Sequence, residues 1–303
     1  MSKAEKLLKS LNDYIAKADE EDEEKLTDLV PDFPGLDQIP GFVEDYEKKV
    51  AKLLRKQRKH FVDGVKSFVS KDITLEALLI FITGNLFAAD EFEEEMEEET
   101  SEFLQLTVAG LAAVIMEEID SDVPFEVLSN RSITWIEEWS ADLGKLMKLN
   151  SHEALERELK KVIKDGGSIQ DAELAIKDLP QFDRKRARTT AITEILTASS
   201  VAQAESYRQS PAVEKKRWRH SGSKKNNPRE AHVDLDGEEI AVDEMFEVNG
   251  HEADHPRDTS LPAGERVNCH CVLSPVVNES ILGLSKEEKE ELRRQALEEI
   301  HAN

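Results

Sequence analysis

Apolar residues along the first two thirds of the chain recur every three or four positions, the spacing of one helical face. Leu7, Leu8, Leu11 and Ile15 predict a short amphipathic start, closed by the solvated run DEEDEE. VPDFPGLDQIPG, with three prolines and two glycines, reads as an irregular connector. A helix is then expected over 42–69, on Phe42, Tyr46, Val50, Leu53 or Leu54, Phe61, Val65 and Phe68. Thr74 stands as a cap before LEALLIFITGNLF. Phe92, Met96, Phe103, Leu106, Gly110 and Val114 set an apolar stripe behind the glutamates of DEFEEEMEEETSEF, so this segment predicts an ordered helix with an acidic face. Pro124 is expected to start a helix carrying Trp135, Trp139, Leu143 and Leu146. Ser151 is expected to cap another that ends at DGG, and Ser168 with Asp171 to form a capping box. An alanine-rich helix follows over about 182–208, with Ile192, Ile195, Leu196 and Val201.

After Pro211 the pattern changes. KKRWRHS, AHVDLDGEEI, EMFEVNG and VNCHCVLSPVV are short and β-like, and Asp236-Gly237 marks a tight turn. SGSKKNNPRE and HEADHPRDTSLPAGE read as loops, and Ser285 with Glu288 caps a last charged helix. The expected class is α+β: a mainly helical N-terminal region, then a long helix packed on a small antiparallel sheet, then a C-terminal helix. The expected segments are 1–41 (helix and connector), 42–122 (acidic helices), 123–280 (helices then sheet) and 281–303 (charged helix).

Charge sharpens this picture. The 303-residue chain carries a net −24, which opposes indiscriminate binding to nucleic acid. Residues 183–229 hold twelve Lys/Arg against four acids, a net of +8, so the rest carries −32. Within that stretch Lys215, Lys216, Arg217, Arg219, Lys224, Lys225 and Arg229 are the candidate contacts to DNA phosphates. No run approaches the ~18 apolar residues of a membrane span, and the N-terminus lacks the apolar region of a signal peptide. No membrane partner is expected.

The two cysteines, Cys269 and Cys271, flank His270; so few in a long chain fit a reducing compartment. A zinc site would draw on His232, His255, Cys269 and Cys271. Tetrahedral zinc wants its sulfurs about 3.7 Å apart, whereas residues two apart on a strand lie about 6.5 Å apart. The expectation is therefore that both thiols pack as small apolar groups beneath a sheet, with His270 on the opposite face and no cofactor. Cys-x-Cys is also not the Cys-x-x-Cys of thioredoxin-like redox chemistry. His220, Asn226, His232 and Asp234 cluster in sequence, but their spacing matches no ligand pattern of a metal-dependent hydrolase. No phosphate loop or nucleophile elbow is present. No catalytic residues are assigned.

RARTTAITEILTASSVA, then KKRWRHSGSKKNNPREAHVDLDGEEIAVDEMF, then HPRDTSLPAGERVNCHCVLSPV, in that order, resemble the phage Mu protein F-like head morphogenesis family over about 125–278. The positions that carry the resemblance are Arg188, Thr193 and Glu194 on the helix and Trp218 on a strand. Arg229, His232 and Gly237 follow in a loop and turn, Phe246, Pro256 and Asp258 come next, and Asn268, Cys269 and Cys271 lie on the last strand. The family commonly has arginine where His270 stands here. The resemblance implies a minor head protein of a tailed phage, built into the procapsid near the portal and serving DNA packaging or delivery; it implies no catalytic activity, and the expectation is that the chain is not an enzyme. Its implied partners are the portal protein, a scaffold or major capsid protein, and DNA. Its implied place is inside the virion near the portal, after assembly in the host cytoplasm. The alternative reading is a metal-dependent nuclease or a zinc-binding module that touches DNA. Beside the resemblance, the hallmark side chains read as structural. Trp218 suits a core anchor, and Glu194, on a small apolar helix, needs a donor from Arg229, His232 or Arg266.

Overall fold

In this computed structural model residues 26–68, 74–222, 228–267 and 269–302 are described. The expected start at 7–15, the DEEDEE run, Lys224, Lys225, Asn226 and Asn268 lie outside them. After one helical turn at Leu26–Leu29, α1 runs over Ile39–Ser67. Pro40 sits in its first turn, where a missing N–H costs no hydrogen bond, so the end of the expected connector is helical. Thr74 caps α2 (Leu75–Phe81) by accepting from Ala77 N at 3.1 Å.

The acidic segment is α3 (Phe92–Ile119). Its buried face is Phe92, Met96, Thr100, Leu104, Val108, Leu111 and Ile115, while Leu106 is 65% exposed. Buried Thr100 and Thr107 interrupt the apolar count, which displaced the expected stripe in the helix's second half. α4 (Asn130–Lys164) is a single 35-residue helix that begins beyond Pro124. Ser151 does not cap it: the residue lies in its interior, and Oγ bonds back to Met147 O at 3.0 Å. The Ser168–Asp171 capping box opens α5 (Ile169–Lys177), and α6 spans Arg184–Gln209.

The chain forms two compact units interleaved in sequence. One comprises Glu44–Ser101 and Glu137–Ala191. Its core gathers Phe61, Leu78, Ile82, Leu155, Ile176 and Phe182. Buried Asp90 accepts from Gln57 at 2.7 Å and His152 at 2.8 Å. Glu47 accepts from Arg184 at 2.6 Å and Arg188 at 2.9 Å. Glu93, Glu95 and Glu99 of α3 pair with Lys148, Lys56 and Lys49, leaving Glu97 and Glu98 facing solvent.

The described residues of the other unit fall within Met1–Val43, Glu102–Ile136 and Ile192–Asn303. It contains β1 (Val213–Arg219), α7 (Glu230–Asp234), β2 (Glu239–Ala241), β3 (Phe246–Val248), β4 (His251–Ala253), α8 (Ala263–Arg266), β5 (Val272–Val277), α9 (Glu279–Leu282) and α10 (Lys286–Ala302). β1 is the centre of an antiparallel sheet ordered β2-β1-β5, and β3 pairs with β4 in a separate ribbon. Two expectations change here. The first residues of AHVDLDGEEI are helical. His251–Ala253, in an expected loop, is a strand because Asn249 and Gly250 turn the chain at φ 52° and 79°, as a two-residue hairpin requires.

The part of α6 in this unit is buried on nearly every side, which its small residues permit. Its polar groups are used rather than left bare. Gln203 Oε1 accepts from Leu273 N at 2.9 Å and Tyr207 donates to Leu273 O at 3.3 Å, which ties the helix to β5. The Glu205 carboxylate accepts from Ser129 N at 2.6 Å, Ser132 Oγ at 2.6 Å and Gln209 at 2.7 Å. The result is the expected α+β class.

Candidate functional site

α7 delivers His232, and the segment just before β5 delivers Cys269 and Cys271; each is 2% exposed. His232 Nδ1 lies 3.5 Å from Cys269 Sγ and 3.7 Å from Cys271 Sγ. The three donor atoms sit within 4.8 Å of one another. On its other side the ring donates through Nε2 to Glu265 Oε2 at 3.1 Å, since an ionised carboxylate only accepts. Glu265 is itself held by Asn249 at 3.0 Å.

The cysteines are not on the strand, contrary to the expectation: β5 begins at Val272. Arg257 explains why. Its Nη1 donates to the Cys269 and Cys271 carbonyls at 2.6 and 2.7 Å, Nε to Leu196 O at 2.9 Å, and Nη2 to Ser200 Oγ at 2.5 Å. Carbonyls turned onto a guanidinium are withdrawn from a sheet ladder, and the backbone curls so that both thiols face one ring. Burial pushes the Cys269 thiol up, but hydrogen bonds from Cys271 and His232 and the charge of Arg257 outweigh it and hold Cys269 well below its ordinary value. Cys271 is pushed well above its own by the hydrogen bond to Cys269 and by burial.

Trp218 closes the cluster. Fully buried, it meets His232 and Phe246 edge-on, at centroid distances of 5.6 and 5.3 Å. Its indole N–H makes no conventional hydrogen bond and favours the Cys271 thiolate.

Of the four residues considered for zinc, three come together. His255 stands apart: its Nδ1 bonds Pro256 O at 3.0 Å, beside Asp254 and Asp258. Among the described residues the hydrolase set is not assembled: His220 Nδ1 accepts from Gly222 N, and Asp234 is exposed while His232 is buried. Other hallmark residues make internal contacts. Arg188 holds Glu47, Asp258 accepts from Asp254 N at 2.8 Å, and Gly237 turns at φ 86° to bond Trp218 O. Buried Glu194 feels the charge of Arg266, one of the three donors expected for it. Thr193 has polar contacts of its own.

The basic stretch divides. Lys216 is 1% exposed and pairs with Asp254 over the Phe246 ring. Arg229 donates to Val267 O and sits near Glu265. Lys215, Arg217 and Arg219 are the described members on the surface, the first two beside Glu239. Sequence reasoning missed Arg257 and Glu265, because neither stands in a spacing that announces a role.

The family described as phage Mu protein F like protein matches residues 153–274, a stretch that holds Trp218, His232 and both cysteines. The uncharacterized protein YqbB of Bacillus subtilis (strain 168) is 61% identical over 301 residues, covering 98% of this chain and 99% of the relative. The NAD(+)–arginine ADP-ribosyltransferase EFV of Enterococcus faecalis (strain ATCC 700802 / V583) is 32% identical over 117 residues, 38% of this chain and 23% of that protein. No solved structure matches.

Proposed function

Because the chain belongs to the phage Mu protein F-like family, a family of phage head morphogenesis proteins, we propose that it is a minor head protein acting in procapsid assembly beside the portal and in DNA packaging or delivery. One observation carries the reading: among the described residues, hallmark side chains are engaged in internal contacts. Trp218 is fully buried, Arg188 holds Glu47, His232 is clamped by Glu265, and Arg229 bonds Val267 O. Groups so engaged support a shape rather than a reaction, which leaves the biological work to surfaces.

Two surfaces of opposite sign are available. The solvent-facing glutamates of α3, including Glu97 and Glu98, suit a basic face on a portal, scaffold or major capsid protein. Lys215, Arg217 and Arg219 on β1 suit DNA phosphates. Co-expression with the portal protein of its own phage tests the first contact: a complex that survives gel filtration is expected, and separate elution contradicts it. No helix among the described residues is long and apolar enough to cross a membrane.

A further inference from the structure

We propose that His232, Cys269 and Cys271 bind a thiophilic divalent cation, zinc in the cell. This stands apart from the assembly role, and either can fail alone. Bonds near 2.3 Å to sulfur and 2.0–2.1 Å to nitrogen, at the tetrahedral angle, place a sulfur and a nitrogen about 3.6 Å apart. The observed nitrogen–sulfur distances are 3.5 and 3.7 Å, both to the same ring atom. A thiol–imidazole hydrogen bond would need one sulfur at that distance; two at that distance from one ring atom, with all three donor atoms within 4.8 Å of one another, outline a face of a coordination tetrahedron.

The surroundings are those of a ligand set. A metal-bound histidine is normally oriented by a carboxylate on its other nitrogen, and Glu265 occupies that place. With Nε2 held by Glu265, Nδ1 faces the two sulfurs. Arg257 fixes both cysteine carbonyls from outside the cluster. Both cysteines would bind as thiolates, and their two charges neutralise the divalent ion. The fourth position falls to water or another oxygen donor, since among the described residues no further histidine, cysteine or carboxylate joins the three. A cysteine nucleophile would need an open approach, and these thiols are 2% exposed. The ion would clip α7 to the start of β5 within one unit.

The test uses the whole chain, purified without chelator. Elemental analysis should find about one zinc per chain. Cobalt(II), exchanged in as the probe, should give thiolate-to-metal charge transfer and the intense visible bands of tetrahedral coordination. Cys269→Ser and Cys271→Ser should each abolish the charge-transfer band or sharply reduce it. Glu265→Gln keeps all three ligands and should weaken cobalt affinity about 10- to 100-fold. If the serine variants fail to fold, the wild-type spectrum and the Glu265→Gln affinity decide. Folded protein that holds no zinc and gives no cobalt–thiolate band overturns the proposal. So does a band unchanged in both serine variants, or rapid alkylation of either thiol by iodoacetamide in folded, metal-loaded protein.

Discussion

Arg257 Nη1 donates to the Cys269 carbonyl at 2.6 Å from a backbone held at φ 67°. A non-glycine residue in the left-handed region costs about 1 kcal/mol or more, and the guanidinium's bonds to Leu196, Ser200, Cys269 and Cys271 offset it. Lysine carries the charge but not the fork. Arg257→Lys is therefore expected to destabilise the fold by about 3 kcal/mol, in the range for breaking a buried charged network. Urea unfolding measures this; a loss below about 1 kcal/mol would mean that the guanidinium geometry is unimportant.

Asp254 is the anionic centre of the same unit, paired with Lys216 and Arg208, with Arg131 at 3.4 Å. Burial raises its pKa, but the charges of Arg208, His255 and Lys216 more than reverse this, leaving it far below the ordinary ~3.9. A carboxyl depressed in the folded state contributes stability that is fully present above about pH 4 and drains as pH falls through the folded-state value. Asp254→Asn should cost about 3–5 kcal/mol at neutral pH, because it strands Lys216 and Arg208. It should also flatten the acid limb of a stability–pH profile. An unaltered limb would assign the acid sensitivity to other carboxylates.

Gly144 lies inside α4, where alanine ordinarily gains about 1 kcal/mol over glycine. A Cβ there would stand 2.6 Å from the Glu93 carbonyl oxygen of α3. Backbone cannot swing aside as a side chain can. Gly144→Ala is expected to lower stability by about 1–3 kcal/mol, as overpacking does, in thermal melts of the whole chain. A rise in melting temperature would contradict the close approach of the two helices.

Reversing charge on β1 should separate surface from interior. Lys215→Glu, Arg217→Glu and Arg219→Glu together are expected to leave stability within about 1 kcal/mol. They should reduce both DNA affinity and the slope of log affinity against log salt. Lys216→Glu, by contrast, buries a carboxylate against Asp254 and should unfold the unit. Fluorescence anisotropy with duplex DNA reads the first effect and circular dichroism the second.

Much of this was legible. The helical spacing located α1, α3 and α6, because each keeps a face apolar or small over many turns. The Ser168–Asp171 box and the Thr74 cap were readable because capping is local chemistry. Even the burial of Lys216 was within reach: on a strand it shares a face with Trp218, two residues on. What sequence could not supply was long-range. The curl that gathers Cys269 and Cys271 depends on Arg257, twelve or more residues earlier in the chain. The spacing argument against a metal assumed a straight strand, and that assumption fails at this place. Likewise Ser151 looks like a cap in isolation and lies mid-helix because α4 continues through it.

Protein analysis of purified procapsids tests the assembly role most directly. Procapsids made with the phage's own portal should contain this chain in a low, fixed ratio to the portal, and those made without portal should lack it. Portal-bearing procapsids with no copies, or equal amounts with and without portal, would contradict a minor head protein docked beside the portal.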